Sequence, residues 1–267
     1  NWETLKELKI LNGQKLTIVK DRPRQLLKVH IKVETGTTRQ GIGDKEAVEF
    51  VKALKKIQGV EVEGISTHFA DSEDTRSDYA LRQFARYNRV IKRLEQAQML
   101  IPVRHTACTA ATLRLSETHG NLVRVGLGMY GLWPSDDLRI RNYESGIKKI
   151  ELKPALTWKT IVAQVKEVKK GTPVSYDLTE QVRRDSKIAV LPVGYWDGYD
   201  RELSKIGYVL IHGKRCKIVG RVCMNMCMVD ITNVPGVKLE DEVVLLGNEN
   251  REEISAEEIA KKLNTIN

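Results

Sequence analysis

The chain has 267 residues, 41% of them hydrophobic and 30% charged, which suits a soluble globular protein with room for two domains and argues against a disordered chain. No apolar run nears the ~18 residues that a membrane-spanning helix needs, and the polar, charged stretch 1–11 does not read as a signal peptide. The formal charge of +9 is spread along the chain with no basic stretch interleaved with aromatics, so nucleic-acid binding is not expected. Cys108, Cys216, Cys223 and Cys227 fit neither zinc-ligand spacing nor a disulfide framework, so no metal is expected. Free thiols suit a reducing, cytoplasmic setting. The chain begins with Asn1 rather than Met, from which a missing upstream segment is expected.

In chain order, residues 28–34 (KVHIKVE) read as a strand. A helix follows with Asp44 as its N-cap, with Ala47, Phe50, Val51, Leu54 and Ile57 on one face, and with Gly59 as its stop. Residues 62–69 (VEGISTHF) read as the next strand. A long helix over 78–98 carries Leu81, Phe84, Ile91 and Leu94 along one side. A third strand runs from Pro102 to near Cys108, a helix starts at once over 110–115, and residues 122–130 read as a fourth strand. Strand and helix alternating at this spacing predict parallel strands with crossover helices, in either an open sheet or a closed barrel.

Beyond Pro134 the pattern changes. Residues 146–153 read as a polar connection, and strands then dominate: 161–166, 187–195, 208–212, 215–232 and 242–246, separated by Gly and Asn turns. A short helix closes the chain, with Ser255 and Glu258 as a capping box and Ile254 and Ile259 as a hydrophobic staple. The boundary is placed at 140, giving an α/β domain over 1–140 and a mostly-β domain over 141–267.

In the first half the unusual polar residues gather at the C-terminal ends of the strands, the edge where α/β sheets and barrels bind ligands. Lys32 and Arg39 flank the first, His68 ends the second, Cys108 and Thr109 end the third, and Arg124 with Gly126 lies on the fourth. Each alone has an ordinary explanation: a core histidine, a surface ion pair, an N-cap. Agreement at four strand ends is harder to dismiss. Thr109 at a helix start offers a hydroxyl and free amides to a phosphate, and Gly126 and Leu127 offer further amides. Arg124 is a permanent cation with a rigid fork of donors. In the second half, Tyr176 reads by itself as a turn tyrosine, and Met224, Met226 and Met228 as one face of a core strand.

Taken in order, HIKVETGTTRQGI (30–42), GISTHFADSED (64–74), HTACTAATLR (105–114), VRVGLGMYGLWPS (123–135), LKPALTWKT (152–160), VSYDLTE (174–180), IAVLPVGYWDGYDRELS (188–204) and GRVCMNMCMVDIT (220–232) cover nearly the whole chain. This series resembles the alanine racemases, pyridoxal-phosphate enzymes of fold type III. The resemblance implies a TIM-type α/β barrel, here partial, followed by a C-terminal mostly-β domain. It implies a homodimer whose active sites draw on both subunits, and the interconversion of L- and D-alanine that supplies D-alanine for peptidoglycan.

The resemblance also assigns roles. Tyr176 is implied as the catalytic base from the partner subunit, opposite a cofactor lysine. A free tyrosine titrates near ~10, so it needs cationic help. A chain of contacts through His68 to Arg124, at the pyridine nitrogen, is implied to give it. Thr109, Gly126 and Leu127 are implied to bind the phosphate, and Arg39, Met224 and Tyr195 the substrate. Lys32 matches a lysine carbamylated in some members to position the arginine. Thr109 stands for the family's usual Ser, Asn225 for a common Asp, and Asp177 for a small turn residue.

The family's lysine motif, of the form KANAYGHG, does not occur here, nor does the C-terminal segment with its own tyrosine. The chain is therefore expected to be truncated at both ends and, by itself, not to racemise alanine. Other possibilities are a pyridoxal-phosphate decarboxylase or broad-specificity racemase, and a lysine-less interaction protein. The VSYDLTE and CMNMCMVD segments favour the racemase.

Overall fold

The computed structural model describes residues 26–144 and 150–267, so part of the connection expected over 146–153 lies outside the described residues. Two compact units divide between Leu152 and Lys153. The boundary placed at 140 falls inside a helix of the first unit, Asp136–Glu144.

The first unit is built on a parallel sheet in which hydrophobic alternation meets crossover helices. Strands β1 (Leu27–Glu34), β2 (Ile42–Gly43), β3 (Val60–Ser66) and β4 (Val103–His105) lie in the order β2-β1-β3-β4, every pair parallel. Helices α1 (Ala47–Lys55), α2 (Tyr79–Gln96), α3 (Thr109–Arg114) and α4 (Asp136–Glu144) accompany them. Ile31, Val33 and Ile65 of the sheet pack against Phe50, Val51 and Leu54 of α1 and Val90, Ile91 and Leu94 of α2. Each such side chain contributes roughly 1.5–3 kcal/mol by leaving water. Two start signals differ from expectation. Asp44 lies in a turn ahead of α1, whose N-cap is Glu46, and Thr109 is the first helical residue of α3, with Cys108 as the cap.

The strand expected over 122–130 does not form. Here the chain runs beside β4 with two backbone bonds in place of a ladder, from the Asn121 and Arg124 amides to the Arg104 and Ala107 carbonyls, then winds into a 3-10 turn over Leu127–Tyr130. Three glycines within residues 126–131 favour tight turning over a ladder.

The second unit is antiparallel. Strands β5 (Trp158–Ile161), β6 (Gln164–Val168), β7 (Ser186–Leu191), β8 (Tyr208–Ile211), β9 (Lys214–Lys217), β10 (Cys227–Asp230), β11 (Glu242–Glu249) and β12 (Glu252–Ile254) form two sheets. One is β10-β7-β6, and the other β12-β11-β8-β9 with β5 on β11. Their inner faces share a core that includes Leu191, Ile211, Val229 and Leu245. The long strand expected over 215–232 is broken. Residues between β9 and β10 leave the ladder, so Met224 and Met226 are exposed and only Met228 lies on a strand. The closing helix α5 (Ala256–Leu263) has the expected Ser255 cap, whose hydroxyl accepts from the Glu258 amide at 3.1 Å. The Glu258 carboxylate does not reach back to complete a box; it takes Arg215 instead. Among the described residues, no helix is long and apolar enough to cross a membrane.

Leu245 is fully buried and Leu239 is 59% exposed. Leu245→Ala is expected to lower the unfolding free energy by roughly 2–5 kcal/mol in urea titration. Leu239→Ala should change it by less than about 0.5 kcal/mol.

Candidate active site

A parallel sheet delivers the ends of all its strands to one edge, and here that edge is basic. β1 runs out into the loop 35–41, which carries Arg39. Glu34 at the strand end organises this loop: its carboxylate accepts from the amides of Gly36 at 2.5 Å, Thr37 at 2.6 Å and Arg39 at 3.2 Å. Burial opposes the Glu34 charge, but the amides of Thr38, Gly36, Arg39 and Thr37 outweigh it and hold the carboxyl below its usual range. Tyr79 donates to the Gly36 carbonyl at 3.1 Å, and any side chain at Gly36 would run into the tyrosine hydroxyl. Beneath the loop, Thr35, Thr67 and Gln83 form a buried hydrogen-bonded cluster, and Arg86 donates to the Thr35 carbonyl.

Arg124 lies where the ends of β3 and β4 meet. Its Nη2 donates to the carbonyls of Thr67 at 2.8 Å and Thr106 at 3.2 Å and to His68 Nδ1 at 3.3 Å. Its Nη1 donates to the His105 carbonyl at 3.1 Å and to His105 Nδ1 at 2.5 Å. Burial opposes the guanidinium charge, yet arginine keeps its proton in proteins. Burial, then Arg124, Arg39 and Lys32, push His68 below the usual histidine range, so it is neutral at pH 7. Since Arg124 can only donate, His68 Nδ1 must accept, and the His68 proton sits on Nε2. Lys32 is also pushed down, by burial first and then by Arg39 and Arg124, while Glu34 opposes the shift. Its Nζ donates to Gln40 at 3.4 Å. Beside this cluster the Thr109 hydroxyl oxygen accepts from the Gly126 amide at 2.9 Å, and the space a Gly126 side chain would fill is open.

The first unit thus gathers Lys32, Arg39, His68, Arg124, Thr109 and Gly126, with Leu127 opening the next 3-10 turn. The second gathers the other three. Tyr176 starts a 3-10 turn between Ser175, Asp177 and Leu178, all at positive φ, and is 68% exposed. This backbone costs about 1 kcal/mol or more per residue, and the segment 220–223 secures it. The Ser175 hydroxyl donates to the Arg221 carbonyl at 2.8 Å, Arg221 pairs with Asp177 at 2.8 Å, and Glu180 accepts from the Gly220 amide at 2.6 Å. The amides of Tyr195 and Trp196 donate to the carbonyls of Cys223 and Met224, which joins the exposed Tyr195 to Met224. Burial pushes the Cys216 and Cys227 thiols up to about 12, so neither serves as a nucleophile.

The sequence reading assigned no role to Glu34, His30, His105 or Glu63. One signal for them was available: His30, Lys32 and Glu34 alternate along β1, a period that puts three ionisable groups on one face.

Parallel strands with crossover helices, a cationic cluster at their C-terminal edge and a following antiparallel unit are the features of an α/β-barrel ligand-binding class with an appended β domain. The family model described as alanine racemase, N-terminal domain, matches residues 3–134, and that described as alanine racemase, C-terminal domain, matches 155–267. An alanine racemase of Halothermothrix orenii is 44% identical over 240 residues, covering 90% of this chain and 61% of the relative. An alanine racemase structure from Bacillus anthracis with bound L-Ala-P superposes with a TM-score of 0.85 at 35% identity, over 99% of this chain and 64% of that one. One from Bartonella henselae with covalently bound pyridoxal phosphate superposes at 0.77 with 27% identity, over 99% of this chain and 67% of that one. The chain belongs to the alanine racemase family, whose members depend on pyridoxal phosphate, and it spans about three fifths of the length of the curated relatives it matches.

Because the folded Glu34 carboxyl titrates below its unfolded value of about 4.3, its stabilisation is present above that pH and lost as pH falls through the folded value. Glu34→Ala is expected to cost about 1 kcal/mol at pH 7, a figure discounted for partial exposure. In urea titrations, the gap between wild type and variant should close as pH drops below about 4.

Proposed function

We propose that this protein interconverts L- and D-alanine with pyridoxal phosphate, acting as a homodimer in which each site combines the first unit of one subunit with Tyr176, Tyr195 and Met224 of the other. The observation that carries this reading is the Arg124–His68 pair at the strand edge, a permanent cation bonded to a neutral imidazole whose remaining N–H has no partner among the described residues.

The residues present fit the cofactor. Thr109 has a hydroxyl proton to give, with its oxygen held by the Gly126 amide; the Leu127 amide lies at the start of a turn beside it, and the space at Gly126 is open. These three would hold the phosphate. Arg124 would face the pyridine nitrogen, and as a donor that keeps its proton it would leave that nitrogen unprotonated. When bound, pyridoxal phosphate supplies the electron sink that makes the α-proton of an amino acid removable.

The remaining work falls to the chain's own side chains. Arg39 and the Met224 backbone amide hold the substrate carboxylate, a carbamate on Lys32 would supply the negative charge that pairs with Arg39, and Tyr195 lies near the substrate. Tyr176 moves the proton on one face. Its phenolate is stabilised by the His68 Nε2–H, which is in turn oriented by Arg124. The 68% exposure of Tyr176 on a braced, strained turn suits a base that works in a neighbouring subunit's site.

The test is racemisation by the full polypeptide expressed from its own gene, followed by circular dichroism of alanine with and without added pyridoxal phosphate. Tyr176→Phe is expected to lower kcat by about 10²–10⁴-fold while cofactor absorbance is retained. Carbon dioxide release in place of D-alanine, or full activity in the Phe variant, would overturn the reading.

A further inference from the structure

Arg124 is the inner end of a longer chain of hydrogen bonds. His105 Nε2 lies 2.8 Å from His30 Nδ1, and His30 Nε2 lies 3.1 Å from Glu63 Oε2. Glu63 in turn pairs with Lys28 at 2.6 Å. The direction of every link follows from the arginine. A guanidinium has donors and no acceptor, so His105 Nδ1, at 2.5 Å from it, carries no proton. The His105 proton must then be on Nε2, where it is donated to His30 Nδ1. The His30 proton is accordingly on its own Nε2, donated to the Glu63 carboxylate.

No place remains for a further proton. On His105 Nδ1 it would confront the Arg124 N–H. On His30 Nδ1 it would confront the His105 Nε2–H. That conflict is relieved only by moving the His105 proton to Nδ1, against the arginine again.

The fold reserves space for this arrangement. Gly64 is the partner of His30 across β1 and β3, at a register shift between Val29 and His30. A side chain at Gly64 would overlap the His30 ring. Gly64 is not at positive φ, so here glycine serves close approach rather than backbone freedom. His105 is buried, at 7% exposure. Burial, Arg124 and His30 push it down to about 4.

We propose that His30 and His105 are positioning residues that brace Arg124, and that the brace holds only while both imidazoles are neutral, so that acid releases the arginine. The charged groups around the pair are Lys28 and Lys32 on β1, Glu63 on β3, and Arg124 beyond β4; Arg104, next to His105, is taken by Glu95 of α2 instead. The effect on turnover rests on the reading of Arg124 as a cofactor contact. The proton arrangement does not.

The experiment is ring ¹⁵N–¹H correlation NMR on the histidine-labelled full polypeptide across pH. At pH 7 His105 is expected as the Nε2–H tautomer, keeping that signature until the pH nears about 4. A doubly protonated or Nδ1–H His105 at pH 7 overturns the proposal, and wild type alone suffices for this arm. Gly64→Ala and His30→Leu should raise the His105 titration above about 4, by only part of the full shift because burial and Arg124 still hold it down. The acid limb of the kcat profile should rise with it. His30→Gln, whose carbonyl oxygen accepts from His105 Nε2–H, should restore both. An unmoved His105 titration in the first two variants overturns the brace. A titration that moves while the acid limb stays put supports the brace and overturns the cofactor contact of Arg124.

Discussion

Much of the first unit is arranged around one half-buried guanidinium. Taking part of a cation out of water carries a cost that falls as its donors meet acceptors. Arg124 finds three backbone carbonyls and two imidazole nitrogens, at Thr67, His68, His105 and Thr106. These acceptors leave β3 and β4 at their C-terminal ends. Parallel neighbours in register, Ser66 opposite His105, bring them side by side. The same contacts settle two tautomers, because a donor-only partner leaves a histidine nitrogen no choice but to accept.

Around that centre, backbone that would otherwise be loose is stiffened by local polar contacts. Glu34 gathers the amides of the loop bearing Arg39, while Thr35, Thr67, Gln83 and Arg86 tie the loop to the helix behind. In the second unit the strained turn bearing Tyr176 is secured by Arg221, Ser175 and Glu180. Both units follow one pattern: a side chain proposed above to meet a ligand sits on an irregular segment, and neighbours of ordinary chemistry remove that segment's freedom. Such preorganisation keeps the ordering cost out of the binding step.

The alternation of strand and helix, the amphipathic faces of α1 and α2 and the change to β structure were legible because burial imposes periods of 3.6 and 2 on the sequence. The residue cluster at the strand ends was legible for a related reason, since parallel topology sends all those ends to one edge. Three features were not. Residues 122–130 have strand-like composition but lack a full ladder, and pairing is decided by neighbours in space. Residues 215–232 read as one alternating run, although the chain leaves the sheet between β9 and β10 and exposes Met224 and Met226. The Ser255–Glu258 box was half right, because Arg215 competes for the carboxylate from another strand.

The sequence by itself determined the class of fold, the order of its elements and the ordered motifs of the alanine racemase family. All of these are written in local composition and spacing. Only the tertiary structure decided which of those residues touch. His30, Gly64, His105 and Arg124 are separated by 19 or more residues along the chain, yet His30, His105 and Arg124 form one hydrogen-bonded chain with Gly64 leaving room for the His30 ring. Their proton positions follow from distances that no one-dimensional pattern contains. A glycine at 64 reads in the sequence as a weak strand residue; in the sheet it is the space that a histidine ring occupies.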